Sequence, residues 1–264
     1  MSDESPFLVT RTGGVVRAVF NRPARRNALS ADLVERLDAL LAELKEDRAA
    51  RVLVLSGAGG HFCAGLDLTE VGAPLPPEQK LAAQAERNRR TGARFAALAS
   101  LPQVVIAAVQ GSAFAGGLGF VCAADMAFAT ADARFAAPEA RRGLVAAQIL
   151  PWITHRTGPS AAKRMVLQGR TLNAEEAGRI GLVHEVVPDA AALDALVETT
   201  IADVMQGAPG ALAETKGMLA ALGGAVPPGY AEAAAASFAR CAASGEAEEG
   251  IAAFKQKRAP NWVA

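Results

Sequence analysis

Two short segments of small residues have the composition expected of backbone anion sites. The first, HFCAGLDL, runs from His61 to Leu68, and the second, AFAGGLGF, runs from Ala113 to Phe120. Residues with small side chains let a ligand approach the main chain closely. Two N–H donors that converge on one point would stabilise an oxyanion, whereas a helix N-terminus would hold a phosphate. Tight packing of a helix on a strand is the structural alternative for either segment taken alone.

Other kinds of chemistry find little support in the motifs. Neither glycine-rich segment carries GxxxxGK[ST], or GxGxxG with an acidic residue about 20 positions further on, so a Rossmann-type oxidoreductase is disfavoured. Ser56 does not lie in a GxSxG motif, and Cys63 has no visible base that would activate it as a nucleophile. The cysteines and histidines lack metal-ligand spacing, and we predict no metal site.

A candidate acid or base follows the second segment, at the pair Pro138-Glu139. A carboxylate at this place could transfer a proton next to a polarised carbonyl group. The alternative is a carboxylate at a helix N-terminus, where it favours the helix dipole. Arg141 and Arg142 follow Glu139 closely. One of them could bind a carboxylate of a substrate, and the alternative is a solvated basic turn.

The elements that must position these residues alternate between strands and helices. Two strands joined at Gly13-Gly14 are predicted first, and Ser30 is a good N-cap for a helix with leucines at helical spacing. RVLVLSG, PQVVIAAVQG and DMAFATADARFA predict further strands, so the fold class is α/β. The segment from Pro74 to Ser100 predicts a mobile loop that runs into a helix. The chain becomes alanine-rich and helical from about Asp189, which favours a boundary there.

The composition is that of a soluble globular protein without a charge bias. The 264 residues are 51% hydrophobic, and 27 basic residues balance 27 acidic ones, whereas a general nucleic-acid binder would carry a basic excess. The first residues do not form a secretory signal, and no segment approaches about 20 consecutive apolar residues. We therefore predict a cytoplasmic location, with neither a nucleic acid nor a membrane as partner.

The order of motifs along the chain resembles the crotonase superfamily, the enoyl-CoA hydratase and isomerase proteins. The matching stretches are NRPARRNALS, HFCAGLDL, AFAGGLGFVCAADMAFAT, ARFAAPEARRGL, LQGRTLNAEEAGRIGLVHEVV and EGIAAFKQKRAPNW. The resemblance implies a crotonase-like spiral of ββα units over residues 1–195 and a C-terminal helical trimerisation region over residues 196–264. It further implies an acyl-CoA thioester substrate, no separate cofactor, and a homo-trimer or a hexamer made of two trimers.

The resemblance also implies roles for individual residues. The backbone N–H groups of Ala64 and Gly116 would polarise the thioester carbonyl, and Glu139 would be the acid/base. Family hydratases usually carry another glutamate at the position that matches Gly119, where this chain has no carboxylate. Adding water to a double bond uses two carboxylates, or one carboxylate if another group, such as Gln148, holds the water. Moving a double bond requires only one carboxylate.

Three functions therefore stay open. Hydration of a 2-enoyl-CoA is the leading one, because PEARRGLVAAQI resembles hydratases of branched, carboxylated enoyl-CoAs. An enoyl-CoA double-bond isomerase that uses Glu139 alone is the second. A non-catalytic acyl-CoA binder that lost one acid is the third, from a different class.

The resemblance finally implies where CoA lies. Arg25, Arg26 and the backbone of Ala28 would meet its adenine and phosphates, although a solvated surface is the alternative for the arginines. Phe254 and Lys257 would reach a CoA, which in some relatives belongs to a neighbouring subunit. The acyl chain would run toward the segment from Pro74 to Ser100, where Phe95 could line the pocket. The other predicted substrate contacts are Gly65, Leu66, Asp67, Leu68, Gly117 and Pro138.

Overall fold

A computed structural model describes residues 5–70, 76–207, 209–222, 229–243 and 245–258. Within these residues the strands are β1 (Phe7–Thr12), β2 (Val15–Phe20), β3 (Val52–Gly57), β4 (Val104–Val109), β5 (Ser112–Phe114), β6 (Met126–Thr130), β7 (Arg134–Ala136), β8 (Leu172–Asn173) and β9 (Glu185–Val187). The α-helices are α1 (Ala31–Glu46), α2 (Pro77–Ala99), α3 (Gly116–Ala123), α4 (Leu150–Gln168), α5 (Ala174–Arg179), α6 (Ala190–Gln206), α7 (Pro209–Leu222), α8 (Tyr230–Ala242) and α9 (Glu246–Lys255).

The strands form two sheets. The larger has the order β1-β2-β3-β4-β6-β9, in which only β1 runs antiparallel to its neighbour. The smaller has the order β5-β7-β8. Parallel neighbours need crossover connections, and α1, α2 and α3 lie in the connections between β2, β3, β4 and β6. The α/β class and the strands predicted from the sequence are confirmed.

The central strands are buried on both faces, which is why they read as continuous apolar runs. Alternate residues of β3 and β4 point into two separate cores, since side chains alternate across a strand. One core holds Leu53 and Leu55 together with the leucines of α1. The other holds Val52 and Val54 together with buried residues of α6.

Helix α1 forms as its sequence predicts. The Ser30 side chain accepts a hydrogen bond from the Leu33 N–H at 3.3 Å, and this cap satisfies one of the free donors at the helix start. The buried face consists of Leu33, Leu37, Leu40, Leu41 and Leu44. The turn before β2 also agrees with prediction, because Gly13 and Gly14 have φ values of 55° and 82° that favour glycine.

The C-terminal helices pack onto the rest of the same chain. The predicted boundary between residues 195 and 196 falls inside α6, which packs against β4 and β6. Helix α8 lies along α2, and α9 lies against a 3-10 helix, Glu139–Arg142, which we call the Glu139 turn. The helical character of this region is confirmed, and its role in trimerisation stays a prediction. Pro74, at the start of the predicted mobile loop, lies outside the described residues.

None of the helices within the described ranges is long and apolar enough to cross a membrane. In the same part of the chain, no three His, Cys, Asp or Glu side chains come together as they would around a metal ion.

Candidate functional site

The fold brings the two glycine-rich segments together. They follow β3 and β4, whose carboxyl ends meet at one edge of the sheet because the two strands are parallel neighbours. Cys63 pairs with Ala113, and the Phe114 N–H donates to the Cys63 carbonyl at 2.9 Å. A Cβ added to Gly65 would lie 3.5 Å from the Gly116 backbone nitrogen, so the residue after Ala64 lies against the first residue of α3.

Small residues are required at this junction because the backbones of the two segments approach each other closely. A Cβ on Gly117 would lie 2.3 Å from the Cys63 carbonyl oxygen, and Gly65 has a φ of 87°. Ala115, just before α3, has φ 49° and ψ −117°, a backbone conformation that non-glycine residues rarely adopt. Backbone strain of this kind persists only where the surrounding structure holds it. Here the conformation of Ala115 sets the direction in which α3 starts.

Gly116 presents a free donor. It is the first residue of α3, and its N–H has no acceptor among the residues that the structure describes. The first N–H groups of a helix lack partners within the helix and carry the positive end of its dipole. The Gly116 N–H is therefore suited to a developing negative charge, as the sequence predicts.

Ala64 differs from the expectation of a second free donor. Its N–H donates to the Arg26 carbonyl at 3.0 Å. Arg26 and Asn27 both have left-handed backbone, with φ values of 49° and 57°. The buried Asn27 side chain fixes this turn by donating to the carbonyls of Ala58 and His61. A substrate oxygen would have to share or replace the Arg26 carbonyl before Ala64 could serve it.

Glu139 lies close to the donors in the fold. Strand β7, which ends at Ala136, pairs with β5 in the register Phe114↔Ala136, and the Ala115 N–H donates to the Ala136 carbonyl at 2.9 Å. Pro138 then caps the Glu139 turn. The same small sheet therefore leads into Gly116 on one strand and into Glu139 on its neighbour.

The environment of Glu139 suits proton transfer. Its Oε2 atom is buried and has no hydrogen-bond partner among the residues that the structure describes. Burial raises the pKa of Glu139 to about 7, against the smaller opposing effects of its own backbone N–H and the Arg142 charge. A carboxyl group that titrates near neutral pH can both accept and return a proton.

The space beside Gly119 is filled by apolar side chains. A Cβ added to Gly119 would lie 2.4 Å from the Phe95 Cζ atom and 2.7 Å from the Ile149 Cγ2 atom. Both side chains are buried, at 0% and 4% exposure, so neither can move into solvent. The chain therefore lacks the carboxylate and also lacks the room for one. Phe95, expected along the acyl path, packs here.

The Gln148 side chain contacts both α2 and α8 from its position before α4. Its Nε2 atom donates to the Asn88 side chain and to the Ala231 carbonyl, both at 3.1 Å. A Cβ on Gly92 would lie 2.0 Å from its Oε1 atom. Both amide hydrogens thus have acceptors on α2 and α8, and a water held by Gln148 would have to donate to Oε1. Its predicted role in holding water stays a prediction.

The predicted CoA segment is organised by Arg22, which the sequence analysis missed. Arg22 donates to the Ala28 carbonyl at 2.6 Å and to Asp67 at 2.9 Å. Burial alone would raise the pKa of Asp67, but hydrogen bonds from Thr69 and Arg22 lower it overall. Asp67 is 4% exposed and ties the two segments together. The sequence NRPARR contains three arginines, and nothing in it distinguishes Arg22 from Arg25 and Arg26.

The other predicted contacts surround this frame. Arg25 and Arg26 are exposed, as is Leu66 at 44%, and Leu68 is half-buried. Leu66 also pairs with Leu29 in an isolated bridge, which fixes the two segments side by side. These positions leave arginine side chains available to phosphates at the surface.

The two C-terminal candidates lie at and beyond the end of α9. Lys257 is exposed and has a left-handed φ of 54°. The Phe254 ring stacks on the guanidinium of Arg142, with 4.3 Å between the Arg142 Cζ atom and the ring centroid. In this structure Phe254 thus contacts the Glu139 turn of its own chain.

The described cysteines are not nucleophiles. Burial raises the pKa of Cys63 to about 12, and it does the same for Cys122. Both thiols are therefore protonated at neutral pH, which agrees with the lack of an activating base for Cys63 in the sequence.

Comparisons with known proteins agree with these features. Residues 10–264 match the family described as Enoyl-CoA hydratase/isomerase. The mevalonyl-coenzyme A hydratase SIDH of Beauveria bassiana is 33% identical over 94% of this chain and 91% of its own. The carnitinyl-CoA dehydratase of Proteus mirabilis is 32% identical over 98% of both chains.

A solved structure supports the same assignment. An enoyl-CoA hydratase from Mycobacterium avium is 34% identical and superimposes with a TM-score of 0.84, covering 98% of this chain and 100% of the other. The fold is therefore the crotonase fold that the motifs predict. By its sequence match and by its fold, this chain belongs to the enoyl-CoA hydratase/isomerase family.

Proposed function

We propose that the protein hydrates a 2-enoyl-CoA, with Glu139 as its single acid/base and the Gly116 N–H as donor to the thioester carbonyl. The observation that carries the proposal is the Glu139 carboxyl, whose buried Oε2 atom has no hydrogen-bond partner among the described residues and which follows β7, the strand beside the one that leads to the start of α3. Hydratases and a dehydratase among the relatives support the reaction class.

The reaction can proceed with one carboxylate. The Glu139 carboxylate takes a proton from water while the water oxygen bonds to C3 of the substrate. Electrons of the C2–C3 double bond move toward the thioester oxygen, where the Gly116 N–H stabilises the enolate. Ala64 adds a second donor once the substrate oxygen displaces the Arg26 carbonyl. Protonated Glu139 then returns its proton to C2, so that the elements of one water are added.

An enoyl-CoA isomerase is the second candidate, and the space beside Gly119 favours it. The atoms nearest to Gly119 there belong to the apolar side chains of Phe95 and Ile149, which cannot orient water. An isomerase needs Glu139 only to remove a proton from one carbon and return it to another. The third candidate, a non-catalytic acyl-CoA binder, would bind the thioester without converting it.

The proposal also covers the acyl group of the substrate and the need for a cofactor. The acyl group is branched or carboxylated, since the stretch around Glu139 resembles hydratases of such substrates. CoA enters as part of the substrate, and no separate cofactor is expected. A trimer or hexamer and a cytoplasmic location stay predictions.

The test is the product formed from a panel of 2- and 3-enoyl-CoAs, including a branched carboxylated one, in ¹⁸O-labelled water. Hydration predicts a product that carries one heavy oxygen and that the Glu139→Gln variant does not make. A rearranged product without heavy oxygen would assign the isomerase instead. Binding of the thioesters without any product would favour the binder.

We expect kcat/KM to rise with pH up to a plateau. A lone carboxylate must accept a proton before it can return one, so the free enzyme must begin with Glu139 ionised. Because the pKa of Glu139 is about 7, kcat/KM should rise about tenfold per pH unit below pH 7 and level off above it. Steady-state rates measured between about pH 5.5 and pH 9 test this pH dependence.

The pH profile needs a control for ionisation of the substrate itself. Phosphate groups of CoA titrate at a pKa of about 6 and could imitate the expected limb. A truncated pantetheine thioester has no such group and should give the same midpoint. A rate that instead falls as the pH rises through 7 would mean that Glu139 begins as the proton donor.

A further inference from the structure

The Glu139 turn carries two charged side chains on one face. In a 3-10 helix residues i and i+3 lie above one another, and Glu139 and Arg142 are related in this way. The Glu139 Oε2 and the Arg142 Nε are both buried, and neither has a hydrogen-bond partner in the described part of the chain. They form no ion pair among the described residues, so the two charges act on each other across a gap.

Helix α9 fixes the position of Arg142. A Cβ added to Gly250 would lie 2.5 Å from the Arg142 Cα atom and 2.6 Å from its carbonyl oxygen, so the helix backbone touches the backbone of the turn. Gly250 and Phe254 are four residues apart and share one face of α9. Phe254 places its ring 4.3 Å from the Arg142 Cζ atom. Backbone and guanidinium of Arg142 are thus both held by one helix.

We propose that Arg142 is a positioning residue for Glu139, and that α9 of the same chain holds it in place through Gly250 and Phe254. The proposal rests on the proposed role of Glu139 as acid/base. A guanidinium is planar and stacks on an aromatic ring. Because the Arg142 guanidinium stacks on the Phe254 ring, its charge has a defined position relative to the Glu139 carboxyl. The C-terminal helix thereby takes part in setting the proton affinity of the site that its own chain contains.

No other described charge can replace Arg142 here. Among the described residues, Arg142 is the charged side chain that lowers the pKa of Glu139 through its charge. Arg141, its neighbour, is exposed and donates to the Gln168 carbonyl at the end of α4. The remaining described charges on α9 and on the C-terminal half of α4 are exposed or bonded elsewhere, namely Lys163, Arg164, Glu248, Glu249 and Lys255.

The experiment is the pH profile of kcat/KM for matched pairs of variants. Arg142→Gln should move the midpoint of the rising limb upward by about one pH unit, because the lost positive charge no longer favours the carboxylate. Below the midpoint the rate should then fall about tenfold. Arg141→Gln removes an adjacent arginine from the same turn and should leave the midpoint where it is.

The Phe254 pair tests the helix contact separately. Phe254→Leu removes the ring face and should shift the midpoint in the same direction by a smaller amount, whereas Phe254→Tyr keeps the ring and should keep the midpoint. This pair remains informative if Arg142→Gln does not fold, which circular dichroism would show. An unchanged midpoint in a folded Arg142→Gln variant, or an equal shift in Arg141→Gln, would overturn the proposal.

Failure of the Arg142 proposal can be distinguished from failure of the proposed function by the activity of the Glu139→Gln variant. If Glu139→Gln keeps full turnover, then Glu139 is not the acid/base, and the proposed function and this inference fail together. If Glu139→Gln loses turnover while the Arg142 and Phe254 variants keep the wild-type midpoint, then only the inference fails.

Discussion

Replacing Glu139 by glutamine is expected to lower kcat by about 10²–10⁴-fold, the usual contribution of a general acid/base. Glutamine has nearly the same shape but cannot take up or release a proton in this range. Thioester affinity should be unchanged, because the group acts on the reacting carbons rather than on CoA. Steady-state kinetics and calorimetric titration with a substrate analogue measure the two effects separately.

The same substitution is expected to stabilise the fold above neutral pH. Because burial raises the pKa of Glu139 from 4.5 to about 7, the ionised group costs nothing below about pH 4.5 and its full cost is reached above about pH 7. That cost is at most about 3 kcal/mol, from 1.36 kcal/mol per pKa unit. Denaturation of both proteins at pH 4.5 and pH 8 should show the advantage of Glu139→Gln growing with pH.

A matched control is available on the surface of α1. Glu35 is an exposed glutamate, and Glu35→Gln serves as the reference in both measurements because it removes a carboxyl at the surface, away from the site. If Glu139→Gln behaved like Glu35→Gln in both measurements, the carboxyl would be neither catalytic nor buried as described. Loss of activity without the gain in stability would instead indicate that the glutamine amide is poorly accommodated.

A glutamate at position 119 is expected to destabilise the fold rather than to raise the activity. A Cβ on Gly119 would overlap Phe95 and Ile149, at 2.4 Å and 2.7 Å, and a carboxylate beyond it would enter an apolar region. Gly119→Ala should destabilise the fold by about 1–3 kcal/mol through overpacking. Gly119→Glu should destabilise it by more than about 4 kcal/mol, because an unpaired charge is buried as well. Urea denaturation gives both values.

Gly217 provides the control for this substitution. It is a helical glycine in α7, and an added Cβ would meet nothing within 4 Å. Gly217→Ala should therefore stabilise the fold by about 0.5–1 kcal/mol, the ordinary effect of alanine in a helix. Combining Gly119→Ala with Phe95→Leu should recover part of the loss by removing the closest atom. A stable, more active Gly119→Glu variant would show that the space beside Gly119 is open to water.

Much of the site could be predicted because its determinants are local. The glycine-rich segments follow strands that are parallel neighbours, so the turns after them meet at one edge of the sheet. Gly116 begins a helix for the same local reason, since small residues allow the close turn that precedes it. The identity of Gly119 is likewise visible in the sequence, and with it the absence of a second carboxylate.

The hydrogen bond of Ala64 could not be predicted in this way. It depends on the left-handed turn at Arg26, which Asn27 stabilises through carbonyl groups more than thirty residues away in the chain. Side-chain to backbone contacts over such separations leave no periodic pattern in the sequence. The role of Arg22 escaped prediction for the same reason, as its partner Asp67 is distant in the chain.

The sequence by itself determined the α/β class, the two donor segments, the single candidate carboxylate and the missing acid, because periodicity, turn residues and residue identity are local properties. Tertiary structure alone decided three further points. Phe95 and Ile149 fill the space beside Gly119, burial brings the pKa of Glu139 to about 7, and α9 holds Arg142 beside it. Each of these points depends on side chains that are distant in the sequence and come together at the site only when the whole chain packs.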